Sequence, residues 1–569
     1  MDFEMSHASH RTVALAVTVA LLGTALAGCL DGTPEADQQP AATTHVSRQY
    51  TVTLTPEVAK AMESSTDPES TLKNLIKSSL VVRVLAPGDY TLEYTDKNGA
   101  AQTKTLPGLE PGKPHEVADV DPFTAVTLKL LGQTVYERAP KTFDGYKFGV
   151  VPLGFKVDAG SEAAYKFNYN VVEEFGVKDL KVPSEMGEVN LDSLLFRLAI
   201  PLTGTMGWKA GTASADGIPV ALTATASVPA DARDLLLVDA KGTMDGKTNS
   251  GGFSLQRLEA ESTGTGTLWF KENEPAAAQW NGGRMSAHPH VTGWATGPLA
   301  ESAEFSCAGK ARADNCRLEE VYKESGLTFP VSENVAASSK EFVPASARPQ
   351  IENPEQQKIV DFLTRLFAQD LELNDVFTVM GAVDSYSLGI PNSDGSFTTS
   401  MVYKMTVAEK GPVVVSAGAF QGLKLVTTLT TKADVKRLSQ GGKTVVNGFD
   451  FDEEVSRSTL WLEQGTYVPL KLEATTPLKV DALVDEILGS IDQGIWRDAK
   501  MTPLTGDKLN VKVEANYGYE ATRVAAGAKF SPIMGIAMSG VLSSAPTMMP
   551  AAMVGMRAAE AIGDAFGGT

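Results

Sequence analysis

The stretch Ser458 to Glu473, STLWLEQGTYVPLKLE, decides the fold. It reads as two short strands, Ser458 to Leu462 and Val468 to Glu473, joined by a turn, with apolar and polar positions alternating as in a sheet that buries one face. Further strands precede it at Thr399 to Val407, Val413 to Val415 and Leu423 to Thr430. Two helices accompany them. After Asn353-Pro354-Glu355, apolar residues fall at Ile359, Phe362, Leu363, Leu366 and Phe367. A second set, Leu483, Val484, Ile487, Leu488 and Ile491, lies within Asp481 to Ile491. Both spacings build a single apolar stripe that packs against a sheet.

Trp461, Gly465, Pro469, Leu470 and Lys471, with the helix at 355–368 on their N-terminal side, give this region a pattern that resembles the outer-membrane lipoprotein-sorting proteins, the LolA-like fold. The resemblance covers residues 350–522 and implies a curved antiparallel half barrel that wraps a helix and holds acyl chains on its concave face. The inward candidates are Phe420, Leu423, Leu425, Leu460, Leu462, Val468, Leu470 and Leu472. The same eight side chains would equally close a core against the two helices.

Upstream the pattern is again β. Leu80 to Leu85, Tyr90 to Thr95, Thr124 to Leu131 and Thr134 to Arg138 are short strands, separated by Pro87-Gly88, Asp96-Lys97-Asn98-Gly99 and Pro111-Gly112. They predict an immunoglobulin-like β-sandwich over 49–160, with a helical stretch near Pro68 to Ser79. Residues 161–345 are strand-rich, and prolines between Pro344 and Pro354 mark a linker. Thr265 to Phe270, TGTLWF, echoes Ser458 to Leu462, STLWL, a short hint of duplication.

At the start, a charged stub and the apolar run Thr12 to Leu26 precede Ala27, Gly28 and Cys29, the layout of a secretory leader. Leu26-Ala27-Gly28-Cys29 resembles the lipobox of prokaryotic lipoproteins, which implies cleavage after residue 28 and lipidation of Cys29. Residues 29–48 are polar and aperiodic, as a tether should be. An anchored protein does not shuttle, so a carrier role between membranes does not follow from the resemblance. The remaining cysteines, Cys307 and Cys316, have eight residues between them in a secreted context and suggest a local disulfide.

At ~100 to 200 residues per domain, 569 residues predict about three or four domains. A hydrophobic share of 43% and a charged share of 21% are those of a globular chain. Its net charge of −19 disfavours nucleic acid as a partner. Cleavage before Cys29 removes Asp2, Glu4 and Arg11 and leaves −18. The familiar serine-hydrolase, zincin and nucleotide-binding motifs are absent from the sequence. His288-Pro289-His290 could put both rings on one strand face, but Pro289 favours a loop of exposed polar residues. Asp450, Asp452, Glu453 and Glu454 lack calcium-loop spacing and are expected to be solvated. Neither a metal nor a cofactor is expected.

The tail, 523–569, contains 27 uncharged residues from Phe530 to Met556 but only six are Phe, Ile, Leu or Val. Two docked short helices, a marginal membrane insertion and disorder all fit it. The whole chain is therefore expected to be mainly β with packed helices, an α+β protein. In order it has a signal peptide (1–28), a tether (29–48), a sandwich (49–160), a β-rich domain (161–345), a LolA-like helix-plus-sheet domain (350–522) and the tail. The expected function is that of a non-catalytic lipoprotein on the extracytoplasmic side of the cell membrane, binding a lipid or other apolar ligand. The alternative is a structural or adhesive envelope protein that binds another surface protein or a glycan, with an enzyme of unfamiliar site as a third class.

Overall fold

The computed structural model describes residues 43–54, 74–139, 155–184, 187–244, 246–271, 274–296, 331–342, 369–383, 397–435, 443–478, 508–525 and 527–532, with isolated residues and short pieces elsewhere. Cys29, Cys307, Cys316, the helix expected at 355–368, nearly all of that at 481–491 and most of the tail after Pro532 lie outside the described residues.

Seven strands come first: β1 (His45–Leu54), β2 (Ile76–Arg83), β3 (Gly88–Thr95), β4 (Ala101–Leu109), β5 (His115–Ala118), β6 (Val126–Leu130) and β7 (Gln133–Arg138). β5-β2-β1 forms one face and β4-β3-β6-β7 the other. Val46, Leu80, Val82 and Val117 from the first meet Tyr90, Leu92, Leu106 and Leu128 from the second in one buried cluster, so the two layers pack face to face. At the β3–β4 turn, Asp96 accepts the backbone N–H groups of Asn98 at 2.9 Å and Ala100 at 3.0 Å, while Gly99 takes φ +83°. The helix expected near Pro68 to Ser79 is corrected at its end. Asn74 and Leu75 are helical, but Ile76 to Ser79 pair with Val52 to Gln49 of β1, and that pairing outweighs local propensity. β1 itself starts within the expected tether, at His45.

Next come the short β8 (Lys147–Phe148), β9 (Val151–Pro152) and β10 (Phe155–Val157). The long strands follow: β11 (Glu162–Ser184), β12 (Gly187–Ala210), β13 (Ile218–Ser227), β14 (Leu236–Met244), β15 (Lys247–Lys271) and β16 (Glu274–Thr296). β17 (Leu327–Thr328), β18 (Val331–Val335) and β19 (Glu341–Phe342) line the far edge of β16. Then come β20 (Val376–Val383), β21 (Ser393–Asp394), β22 (Phe397–Val415), β23 (Gly418–Val435), β24 (Leu438–Gln440), β25 (Lys443–Val446), β26 (Phe449–Glu463), β27 (Pro469–Leu478), β28 (Leu509–Val524) and β29 (Ala528–Phe530).

Pairing joins eighteen of these into one sheet. Its order is β5-β2-β1-β20-β22-β23-β26-β27-β28-β11-β12, then β13 and β14 end to end, then β15 and β16. Among the described pairings only β1–β20 is parallel. The sheet thus runs through the ranges 49–160, 161–345 and 350–522. β28, which links β27 to β11, was not foreseen, although its Tyr517, Tyr519 and Ala521 alternate with polar neighbours. Strands expected separately at 399–407 and 413–415 are one strand, β22, with an irregularity between Val407 and Glu409.

The loop expected at His288-Pro289-His290 is also corrected, because all three residues lie in β16. Pro289 is buried opposite Leu258 of β15, inside a ladder that runs along β16, and that pairing outweighs proline's local preference. Asp450, Asp452, Glu453 and Glu454 lie in β26, where Lys432 pairs with Asp452 and Arg457 Nε with Glu454 at 2.9 Å.

Candidate functional site

Cross-strand register brings the inward candidates together. Leu423 stands opposite Leu462, Leu425 opposite Leu460, and Leu460 opposite Leu472, so alternation on three strands points large apolar side chains to one face. Leu423, Leu425, Leu460, Leu462, Val468, Leu470 and Leu472 are each at most 4% exposed, and Phe420 packs on them partly buried. The same cluster includes Tyr403, Met405 and Val407 from β22, Tyr517 and Tyr519 from β28, Tyr165 and Phe167 from β11, and Trp208 from β12. Tyr165 meets Tyr519 edge-on, with ring centroids 5.6 Å apart. Strands far apart in sequence thereby share one apolar face.

The chain's own C-terminal segment covers one end of that face. Phe530 N–H donates to the Thr466 carbonyl at 2.7 Å, and β29 pairs with β10. Pro532, Gly535, Ile536 and Ser539 are helical and buried, with proline suited to the first turn. Phe530 and Ile536 join the apolar cluster. A side chain at 535 would collide with the Tyr467 carbonyl, which explains the glycine there. Among the described residues no helix is long and apolar enough to cross a membrane.

A polar latch holds the hairpin to the rest of the chain. Its turn places Gly465 at φ +84° and Tyr467 at φ +53°, and Tyr467 is 5% exposed. The Tyr467 hydroxyl donates to Asp370 Oδ1 at 3.0 Å and accepts the Leu371 N–H at 3.0 Å, while burial pushes the phenol well above its ordinary pKa. A few residues on, Asp375 is wholly buried. It accepts the Arg48 backbone N–H at 2.7 Å and is bridged by Arg138 at 2.8 Å. Burial raises the Asp375 carboxyl to about 6, and Arg48 with the backbone N–H groups of Arg48 and Glu372 pulls the other way. Segment 369–375 thus ties the apolar face to the sandwich.

On the outer face, Trp461 lies beneath Lys471 at 5.1 Å and Lys424 at 5.8 Å, and Trp269 beneath Lys340 at 4.1 Å. The two tryptophan strands noticed in the sequence share this lysine cover. Tyr165, Phe167, Tyr517 and Tyr519 were not among the expected site residues; alternation along β11 and β28 was the signal that could have found them. Nothing local could have found Asp375 or Arg138, whose partners are hundreds of residues away.

No protein-family model matches the chain, and no curated protein is significantly similar to it. Among solved structures, a bacterial polysaccharide outer membrane secretin aligns over 63% of this chain and 98% of its own at 8% identity, with a TM-score of 0.07. A likeness that slight supports no statement about fold or function.

Proposed function

We propose that this is a non-catalytic lipoprotein, anchored through Cys29 on the extracytoplasmic side of the cell membrane, whose curved sheet shelters a lipid or other apolar ligand. The observation that carries the reading is the continuous apolar face shared by β22, β23, β26, β27, β28 and β11. Its large aliphatic and aromatic side chains suit acyl chains through dispersion and release of water. In this reading the sheet is a half barrel of LolA-like type and the seven preceding strands are an immunoglobulin-like spacer, a proposal supported by their three-plus-four arrangement. Ligand entry then requires the segment around Phe530 and Ile536 to lift from the hairpin.

One observation favours the second reading, a structural or adhesive protein that recognises another envelope protein or a glycan. Seven of the eight inward candidates are already covered by the chain itself. Native mass spectrometry and lipid extraction on the mature chain with Cys29→Ser separate the two. A stoichiometric lipid, or uptake of a fluorescent fatty acid that rises when Ile536→Ala loosens the cover, supports the binding protein. A clean protein that takes up no probe with or without Ile536→Ala supports the structural reading.

A further inference from the structure

We propose that Glu259, His288 and His290 form a binding site for a divalent transition-metal ion of the zinc class on the outer face of the long strands. Glu259 of β15 stands directly opposite His288 of β16, and His290 lies two residues further along the same strand. Residues opposite each other, and residues two apart, share a face of an antiparallel sheet, so all three side chains project together. One donor atom from each lies within 4.8 Å of the others. His288 Nδ1 is 3.9 Å from Glu259 Oε2, and the two imidazole rings stand 4.9 Å apart, tilted by 34°. A tetrahedral ion with bonds of ~2.1 Å holds its ligand atoms about 3.4 Å apart, so small side-chain rotations close this triad on a metal.

A second observation points the same way. His290 Nε2 is buried and has no hydrogen-bond partner among the described residues. A buried polar atom left unpaired is unfavourable, and a ligand in this position would satisfy a group of that kind. Two imidazoles and one carboxylate are borderline donors that suit zinc, copper or nickel better than calcium or magnesium, and three ligands leave a coordination position open to water or a partner's side chain. Arg257, opposite His290 in the register, holds Glu259 Oε1 at 2.6 Å. It orients the carboxylate and leaves Oε2 towards His288, while its charge opposes the cation. The site is independent of the apolar face.

The test is a zinc titration of the mature chain carrying Cys29→Ser, by competition with a chromogenic chelator. One equivalent should bind, with affinity falling about ten-fold or more in His288→Gln, His290→Gln and Glu259→Gln and unchanged in His115→Ala. Arg257→Gln should tighten binding. Cobalt should give visible absorption bands in the parent chain and lose them in both histidine variants, each checked for an unaltered far-ultraviolet circular dichroism spectrum. The proposal is overturned if the parent chain binds no zinc, if both folded histidine variants bind it equally well, or if binding is instead abolished by replacing Cys307 and Cys316 with Ser.

Discussion

Arg138, at the end of the sandwich, makes a two-pronged ion pair with Asp375, 237 residues later: Nη2 lies 2.8 Å from Oδ2 and Nη1 3.2 Å from Oδ1. Both side chains are buried, and Arg48 beside them is only 3% exposed. This pair sits where β1 begins to run parallel to β20, which among the described residues is the join between the sandwich layer and the rest of the long sheet.

Removing the charge of Asp375 leaves two buried guanidinium groups without a counterion. Asp375→Asn should therefore lower stability by about 3–5 kcal/mol, the range found when one partner of a buried pair is lost. Urea denaturation read by tryptophan fluorescence measures it. A change under 1 kcal/mol would mean that the pair is hydrated in solution.

Tyr467→Phe keeps the ring in the apolar cluster and deletes only the hydroxyl that Asp370 and the Leu371 N–H share. The loss should be about 1–3 kcal/mol, because two polar groups lose their partner. Amide exchange at Leu371 should accelerate more than at Leu425 in the centre of β23. Equal protection in the variant and the parent would show that the Tyr467 hydroxyl does not hold segment 369–375 in place.

Gly204 of β12 stands directly opposite Phe167 of β11. A methyl at 204 would overlap both the Phe167 ring and the Thr225 carbonyl, so Gly204→Ala forces the backbone to shift. Overpacking of this kind costs about 1–3 kcal/mol, and the thermal midpoint should fall accordingly. Gly381 of β20 has open space at the same point, and Gly381→Ala should change little.

Glu520 accepts the Ser416 hydroxyl at 2.6 Å and the Ser416 N–H, with Lys166 at 3.4 Å, and these hold its pKa below the ordinary carboxylate value. A depressed folded-state pKa means that the unfolded chain takes up the proton first as the medium is acidified. The stabilisation is thus present above the usual carboxylate range and is lost as pH falls through the lowered value. The pair is solvent-exposed, so the effect is under about 1 kcal/mol. Glu520→Gln should flatten that part of the acid limb of the stability curve, and an unchanged limb would show that Ser416 is not held in solution.

The strand hairpin at 458–473 was legible because its pattern is local: alternation selects the face, and Leu460, Leu462, Leu470 and Leu472 are the side chains that the structure buries. Asp96 to Gly99 was legible for the same reason, since a side-chain oxygen and a positive φ make the turn by themselves. Pro289 misled because proline's local preference is outweighed by the long β15–β16 ladder, in which it stands opposite Leu258. His288 and His290 came into reach of Glu259 only through the register of β15 on β16.

The amino-acid sequence by itself determined that this chain is acidic and largely β, and where its apolar faces lie, because charge and side-chain period are properties of neighbouring residues. Tertiary structure alone decided that one sheet runs from the sandwich to β16, that Arg138 closes on Asp375, and that a carboxylate faces two imidazoles. Those relationships depend on strand order and register, which are set by pairing between segments hundreds of residues apart and leave no local trace in the chain.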